Sequence, residues 1–444
     1  MSSTAVIYMG PVALDLLDIF LATAKYDIHM EYHGNSPRQE LLDGRDFYRI
    51  LFETGLPKFV NTAHLKNTIQ GGRSMSLVEL RLHLGRRDAS EDLDQIYSLL
   101  GLFDHIPNTS NPGFHAQHIP ASYQASVTDV YTAVSRQHLL LANSVLPLAI
   151  SGFKHRYHDT PTWAIDWTLL QSQSVQFHLQ SWVEMHDLFH ACDGLGDAKP
   201  SFDADIFHLA GVHVDDIVKT MTIDFDMNAA FYFWYFLKAK QPQAAYPGDP
   251  QSNWVDAWYG TLCCDSLQDR SSISSRVSPS KIRRLSRFES RMIFDMYHRA
   301  ALEQYVTFLF DVHSDSLESQ HLADIEHHPT WHKDPPIRAD GKPFDPRLLT
   351  WNLEKSVKEQ SRRVKTNRVI FLTKLGYLGI ANTCQKGDKV YVVAGGNLPI
   401  ILRHTPEGNK YENVADCYLH GFMDGQHNHR LLKEQGGLQT LKII

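Results

Sequence analysis

Apolar residues at Leu93, Ile96, Tyr97 and Leu100 recur at i, i+3, i+4 and i+7, which predicts a short helix with one buried face. Asp88 or Ser90 can cap it, Glu91 and Asp92 suit its positive end, and Gly101 can end it in a left-handed conformation. The same spacing at Val127, Val130, Tyr131, Val134 and His138 predicts a second amphipathic helix. Residues 229–237 are instead apolar all round, as in a helix buried on most sides. At the start of the chain, residues 5–9 read as a strand, after which Pro11 can open a helix traced by Leu14, Leu17, Leu21 and Ala24. A mixed helical region is expected over 47–84.

From Arg368 the period changes to that of strands. Residues 368–373, 389–394, 398–403 and 411–420 are four such runs, with Gly387 and Asp388 as a turn and Gly395, Gly396 and Asn397 as a hairpin loop. The expected fold class is therefore α+β. A mainly helical N-terminal and middle region precedes a small antiparallel β-barrel-like C-terminal module. The expected divisions are 1–170, 171–355 with an exposed loop over the Ser-rich, basic residues 266–291, and 356–444.

Composition narrows the class. The chain has 444 residues, 43% hydrophobic and 21% charged, enough for two or three folded cores. A net charge of -7 gives no electrostatic reason to expect nucleic acid or an anionic membrane as partner. Five cysteines, an odd number with Cys263 and Cys264 adjacent, do not make a disulfide framework and point to a reducing, cytoplasmic setting. Asp15 and Asp18 interrupt the apolar N-terminus, which argues against a signal peptide, and no run is long enough to span a bilayer.

Candidate chemistry is sparse. His115 and His118 lie in a turn-rich stretch without accompanying cysteines, and Pro329 breaks any helical pairing among His327, His328 and His332, so no metal site is expected. His190 and Cys192 are close in sequence, but nothing local suggests a lowered thiol pKa. Trp163, Asp166 and Trp167 form a compact aromatic and acidic cluster after Pro161. It reads either as core rings beside a helix-capping carboxylate or as the wall of a ligand pocket. With Phe233 and Trp234 of the aromatic run and Arg403 of the last strands, these are the candidate substrate-binding residues. No nucleotide loop, nucleophile elbow or prenyl-diphosphate aspartate cluster is present, and no cofactor is expected.

Several runs, taken together, carry a family likeness. The helix at 86–102 resembles the Asp-Pro-Arg-Asp-Lys-Ile-Tyr-Ala-Leu-Leu-Gly-Leu helix of fungal heterokaryon-incompatibility (HET) proteins. Residues 163–167 are similar to the family's Trp-Val-Pro-Asp-Trp, and 189–194 followed by 209–217 are similar to its next block. The last block is 387–403 with 417–425, where Gln426 stands in place of the family's final Glu. Leu93 and Gln95 occupy positions that are usually basic in the family, so a surface ion pair is expected to be lost there. The family's upstream Leu-Ser-Tyr-x-Trp-Gly strand and Asp-x-x-Cys-Ile-Asn-Gln motif are absent. The resemblance thus implies a HET-like chain lacking the N-terminal part of the HET domain. Strand 5–9 then either pairs elsewhere or marks an incomplete gene product.

The resemblance implies a regulator or decoy in non-self recognition and cell death, with a protein partner. An NAD-cleaving activity would need the missing sheet. A different class is also open: a cofactor-independent cyclase or Diels-Alderase-type pericyclase of secondary metabolism, which would fold a small apolar terpenoid or polyketide by orientation and one well-placed donor. A closed apolar cavity beside Trp163 would favour the enzyme, and a filled interior the regulator.

Overall fold

The computed structural model describes residues 6–9, 12–15, 76–84, 89, 91–103, 119, 121–141, 145–152, 159–171, 179, 182–183, 185–222, 236–237, 244–268, 282–285, 368–406 and 409–444. The chain divides into two compact units. One is Met1–Val183 with Lys199–Ser201 and Ser272–Pro279; the other is Glu184–Ala198, Phe202–Ser271 and Ser280–Ile444.

In the first unit, β1 (Val6–Met9) pairs antiparallel with β2 (Val12–Asp15). The predicted strand thus finds its partner at once, in the residues expected to open a helix. Strand pairing satisfies backbone groups that a lone strand would leave bare. Helix α1 (Leu77–His83) starts at a reciprocal capping box, in which Glu79 N donates to Ser76 Oγ (3.1 Å) and Ser76 N to Glu79 Oε2 (2.7 Å). Helices α2 (Asp94–Phe103), α3 (Val127–Leu141) and α4 (Leu146–Ser151) follow. Helix α2 runs through Gly101 instead of ending there. Leu93, Ile96 and Leu100 are buried as their spacing requires, against Leu80, Tyr131, Val134, Trp167 and Leu170. In place of a mainly helical N-terminal region, the described residues of this unit are four helices, a 3-10 turn and a strand pair. Gln95 does not face solvent: it is 3% exposed, and its Oε1 accepts a 2.7 Å bond from Arg81.

The second unit is built on a barrel. Short β3 (Ser201–Asp203) leads into β4 (Ile206–Thr222), a strand of 17 residues. Hairpin β5 (Ala245–Tyr246) and β6 (Asp249–Asn253), α5 (Trp254–Leu262), and the pair β7 (Ser266–Gln268) and β8 (Ile282–Arg284) come next. The remaining staves are β9 (Val369–Thr373), β10 (Leu378–Ala381), β11 (Lys389–Val393), β12 (Ile400–His404) and β13 (Tyr411–Leu419). They close as β10-β9-β4-β11-β12-β13 and back to β10, six antiparallel strands. Helix α6 (Asn428–Gln435) then leads to β14 (Gln439–Ile443), which pairs with the first part of β4 and meets β13 at Tyr411.

The β-module is therefore not confined to 356–444. Its longest stave comes from the middle region that was expected to be helical. Gly211 of β4 partners Val393 on one side and Gln439 on the other, and a Cβ there would lie 2.8 Å from Leu441 Cδ1. Val212, Val214, Ile217, Phe371, Val390, Val392, Ile401, Ala415, Cys417 and Leu419 fill the barrel, each at most 5% exposed. Leu431 of α6 and the turn residues Ala191 and Leu195 pack against this interior.

The exposed loop expected over 266–291 also needs revision at 266–268 and 282–285, the part of it that lies among the described residues. Ser266 is fully buried, Leu285 is 7% exposed, and β7 and β8 hold the ends together. Helix α5 is buried along its whole length, capped by Asn253 and Asp256, and its Gly260 lets the His420 ring approach: a Cβ would sit 2.9 Å from that ring.

Candidate functional site

The barrel carries a charged collar where β4, β11 and β12 meet. Asp388 precedes β11 in phase with the inward Val390 and Val392, and Arg403 is in phase with Ile401 on β12. The two join by a fork: Arg403 Nε donates to Asp388 Oδ1 (2.8 Å) and Nη2 to Oδ2 (2.9 Å). Asp388 is 1% exposed, and its Oδ2 also accepts the Gln385 N–H at 2.8 Å. The bond to Asp388 raises the Arg403 pKa above its ordinary value against the opposing effect of burial.

Lys389, next along the strand, donates from Nζ to Asp216 Oδ1 at 2.9 Å, and His213 Nε2 lies 3.1 Å from the same oxygen. Burial lowers His213, partly offset by Asp216. Burial works to raise Asp216, but the hydrogen bond and charge of Lys389, with His213, hold it below the usual carboxylate range. The neighbouring Asp215 accepts the Leu375 N–H at 2.6 Å and so ties down the β9–β10 turn. Every carboxylate of the collar has a specific donor, an arrangement suited to fixing shape and presenting a patterned surface.

A second polar row lies on β13, where Asp416, Tyr418 and His420 alternate with the inward Ala415, Cys417 and Leu419. Asp416 Oδ2 is 2.8 Å from His186 Nε2, and Tyr418 OH is 2.8 Å from His420 Nδ1. Arg368 lies under this row with its pKa lowered by burial, against the pull of Cys264 and Asp416. Burial pushes the Cys264 thiol well above its ordinary range. That suits a structural cysteine and not a nucleophile. Nearby, Arg284 joins two acids: Asp265 Oδ2 (2.9 Å from Nε) and Asp424 (2.8 Å from Nη1).

Of the residues singled out in the sequence, Trp163, Asp166 and Trp167 come together in the first unit. Both rings are at most 1% exposed, and Arg136 lies 5.8 Å over the Trp163 ring. Asp166 Oδ1 accepts from Thr168 N (3.0 Å) and Oγ1 (2.6 Å), opening the 3-10 helix Trp167–Gln171. The Trp167 indole nitrogen is buried without a hydrogen-bond partner. Arg403 belongs to the second unit, in the collar. Phe233 and Trp234 lie outside the described residues, as do His115, His118, His327, His328 and His332.

Cys192 has its thiol raised by burial, the opposite of an activated nucleophile. Among the described residues no group of three or more His, Cys, Asp or Glu side chains is placed to hold a metal ion. Among them, too, no helix is long and apolar enough to cross a membrane. The β13 row was missed in the sequence, although its period of two, Asp416-x-Tyr418-x-His420, was there to be seen.

The blocks at 189–194, 209–217, 387–403 and 417–425, far apart in sequence, all meet at this barrel: Ala191 N donates to Asn397 O, His190 N to Met423 O, and Ile217 N to Asp388 O. Residues 357–436 match the Het-6 beta-barrel domain. That match supports a HET-related family. It takes in β9 to β13 and α6, whereas β4 and β14 lie outside the matched stretch. No curated protein and no solved structure matches the chain.

Proposed function

We propose that this chain is a HET-type regulator that acts through a protein partner in fungal non-self recognition, with the barrel as a rigid scaffold. The observation that carries the reading is the barrel interior. Val212, Val390, Val392, Ile401 and Cys417 fill it, each fully buried, which suits a surface-presenting module better than a chamber for a substrate. The paired collar residues Asp388, Arg403, Asp216 and Lys389 would give a partner a fixed pattern of charge.

Controlled expression in compatible and incompatible fungal strains tests the reading. Growth arrest or altered barrage formation that depends on the strain background is expected, with charge reversal at Lys389 weakening it. Identical growth in every background would overturn it.

One observation favours a small-molecule reading for the first unit: the unpartnered, buried indole N–H of Trp167, next to Trp163 and Asp166. A buried donor without an acceptor costs about 1–3 kcal/mol, so an acceptor on an apolar ligand would relieve it. Under that reading, terpenoid or polyketide polyenes raise the melting temperature of the wild-type chain and not of Trp167→Phe. Equal shifts in both proteins count against it.

A further inference from the structure

Two turns grip β4 from opposite sides at the rim of the barrel. On the β9 side, Lys374 N donates to the Asp216 carbonyl (2.9 Å) and Leu375 N to the Asp215 carboxylate (2.6 Å). The same turn is closed on itself, with Thr373 N donating to the Tyr377 carbonyl and Tyr377 N to Thr373 Oγ1, each at 2.9 Å. On the β11 side, Gly387 N donates to the Ile217 carbonyl and Ile217 N to the Asp388 carbonyl, both at 2.8 Å. Between these grips the pairing of β4 with β9 shifts register from Ile217 to Lys219, which makes Val218 the extra residue of a bulge.

This fixed frame displays apolar surface. Leu375 is 59% exposed and Val218 39%. One exposed apolar side chain is ordinary. Here, however, the turn that holds Leu375 out is pinned by Asp215, a buried carboxylate committed to the Leu375 N–H. A pinned turn meets a partner without first having to be ordered, which is what an anchor residue requires.

The charge around the pair has one sign left over. Asp216 is engaged by Lys389 and His213, Asp388 by Arg403, and Asp215 by the turn. Lys374, next to Leu375, and Lys386, next to Gly387, are exposed and have no ion-pair partner among the described residues. The rim therefore offers two cations beside two apolar side chains, on a chain whose net charge is -7.

We infer that this rim docks an acidic segment of a protein partner, seating an apolar side chain of that segment on Leu375 and Val218 and its carboxylates on Lys374 and Lys386. The inference rests on the partner reading above and gives that partner its chemistry. An apolar centre edged by complementary charge is the pattern of a specific contact: the centre supplies affinity, and the edge selects the partner.

Fluorescence anisotropy on the full chain tests it with three labelled synthetic peptides: one with Leu and Val flanked by Glu, one with Lys in place of Glu, and one with Ser in place of Leu and Val. The acidic apolar peptide is expected to bind, and the other two at least about tenfold more weakly. Leu375→Ser should weaken that binding roughly tenfold to a hundredfold. Lys374→Glu with Lys386→Glu should transfer the preference to the Lys peptide. All three positions are in exposed turns, so the variants should melt as the wild type does. No binding of the acidic peptide, equal binding of all three, or undiminished binding by Leu375→Ser overturns the inference. Self-association of the wild type that Leu375→Ser abolishes would give the rim to a second copy of the chain and overturn it as well. The two readings fail separately: growth that is identical in every strain overturns the regulator and leaves the peptide contact standing, whereas strain-dependent arrest without peptide binding overturns the docking rim alone.

Discussion

The side-chain amide of Gln435, at the end of α6, hydrogen-bonds to both backbone groups of His213 in the middle of β4: His213 N donates to Oε1 at 3.1 Å, and Nε2 donates to the His213 carbonyl. β14 pairs with β4 only as far as Gly211, and β9 takes up at Ile217. One glutamine thus supplies the rungs that neither strand provides at His213. A surface-looking residue of a polar helix closes a seam of the barrel.

Gln435→Ala should leave those two backbone groups to find water or go unpaired, at a cost of about 1–3 kcal/mol. In urea unfolding of the full chain the midpoint should fall while the slope stays the same, because the surface exposed on unfolding hardly changes. An unchanged midpoint would mean that water replaces the amide without loss.

The collar predicts an asymmetry between its two partners. Asp388 is buried, whereas the Arg403 side chain is 35% exposed. Arg403→Ala strands a buried carboxylate that keeps the Gln385 N–H as a donor but loses its neutralising charge. Allowing for the solvent that reaches this rim, it should cost about 2–3 kcal/mol. Asp388→Asn keeps an acceptor for Gln385 and leaves the arginine free to turn to water, so its cost should be smaller, about 1–2 kcal/mol. Thermal unfolding of the two variants side by side checks the order, and a reversal would mean that Arg403 is not what neutralises Asp388.

How much of this was legible follows from what each element depends on. The strands at 369–373, 389–393, 400–404 and 411–419 were visible because their apolar runs and the glycines between β11 and β12 are local signals. β4 was not read as a strand, since the register of its pairing shifts between Ile217 and Lys219 and again opposite Val390 and Tyr391, which breaks the alternation. Its partners also come from beyond residue 368. Gln95 looked like a lost surface charge because helix spacing alone cannot show that Arg81 and the Leu170 carbonyl surround it. The Trp163–Trp167 cluster was legible as a cluster, and its Asp166 does open a helical turn, but its spacing could not reveal an indole N–H without a partner.

Gly211 offers a test of the seam between β11 and β14. A methyl group there would press on Leu441 Cδ1, Val393 Cγ1 and the Val392 carbonyl at 2.8 to 3.1 Å, and the carbonyl is backbone that cannot swing aside. Gly211→Ala should therefore destabilise the second unit by about 1–3 kcal/mol, despite alanine being the better-ordered residue in most strands. Pairing it with Leu441→Ala gives the crowding atom room. Partial rescue in the double variant, read by thermal unfolding, is expected, and additive losses would place the strain elsewhere.

The first unit has a titration of its own, set by a buried histidine. His138 on α3 is 4% exposed, and burial lowers its pKa from 6.5 to about 4. The unfolded chain binds this proton more tightly than the folded one, so the contribution is fully present above pH 6.5 and is lost as pH falls through that value towards 4. The difference amounts to roughly 3–4 kcal/mol over the window. His138→Leu keeps an apolar side chain of similar reach and should flatten the acid limb of first-unit stability between pH 6.5 and 4. Exchange protection of the α2 and α3 amides as a function of pH checks this. If protection declines as steeply with acid in the variant as in the wild type, the proton responsible binds somewhere other than His138.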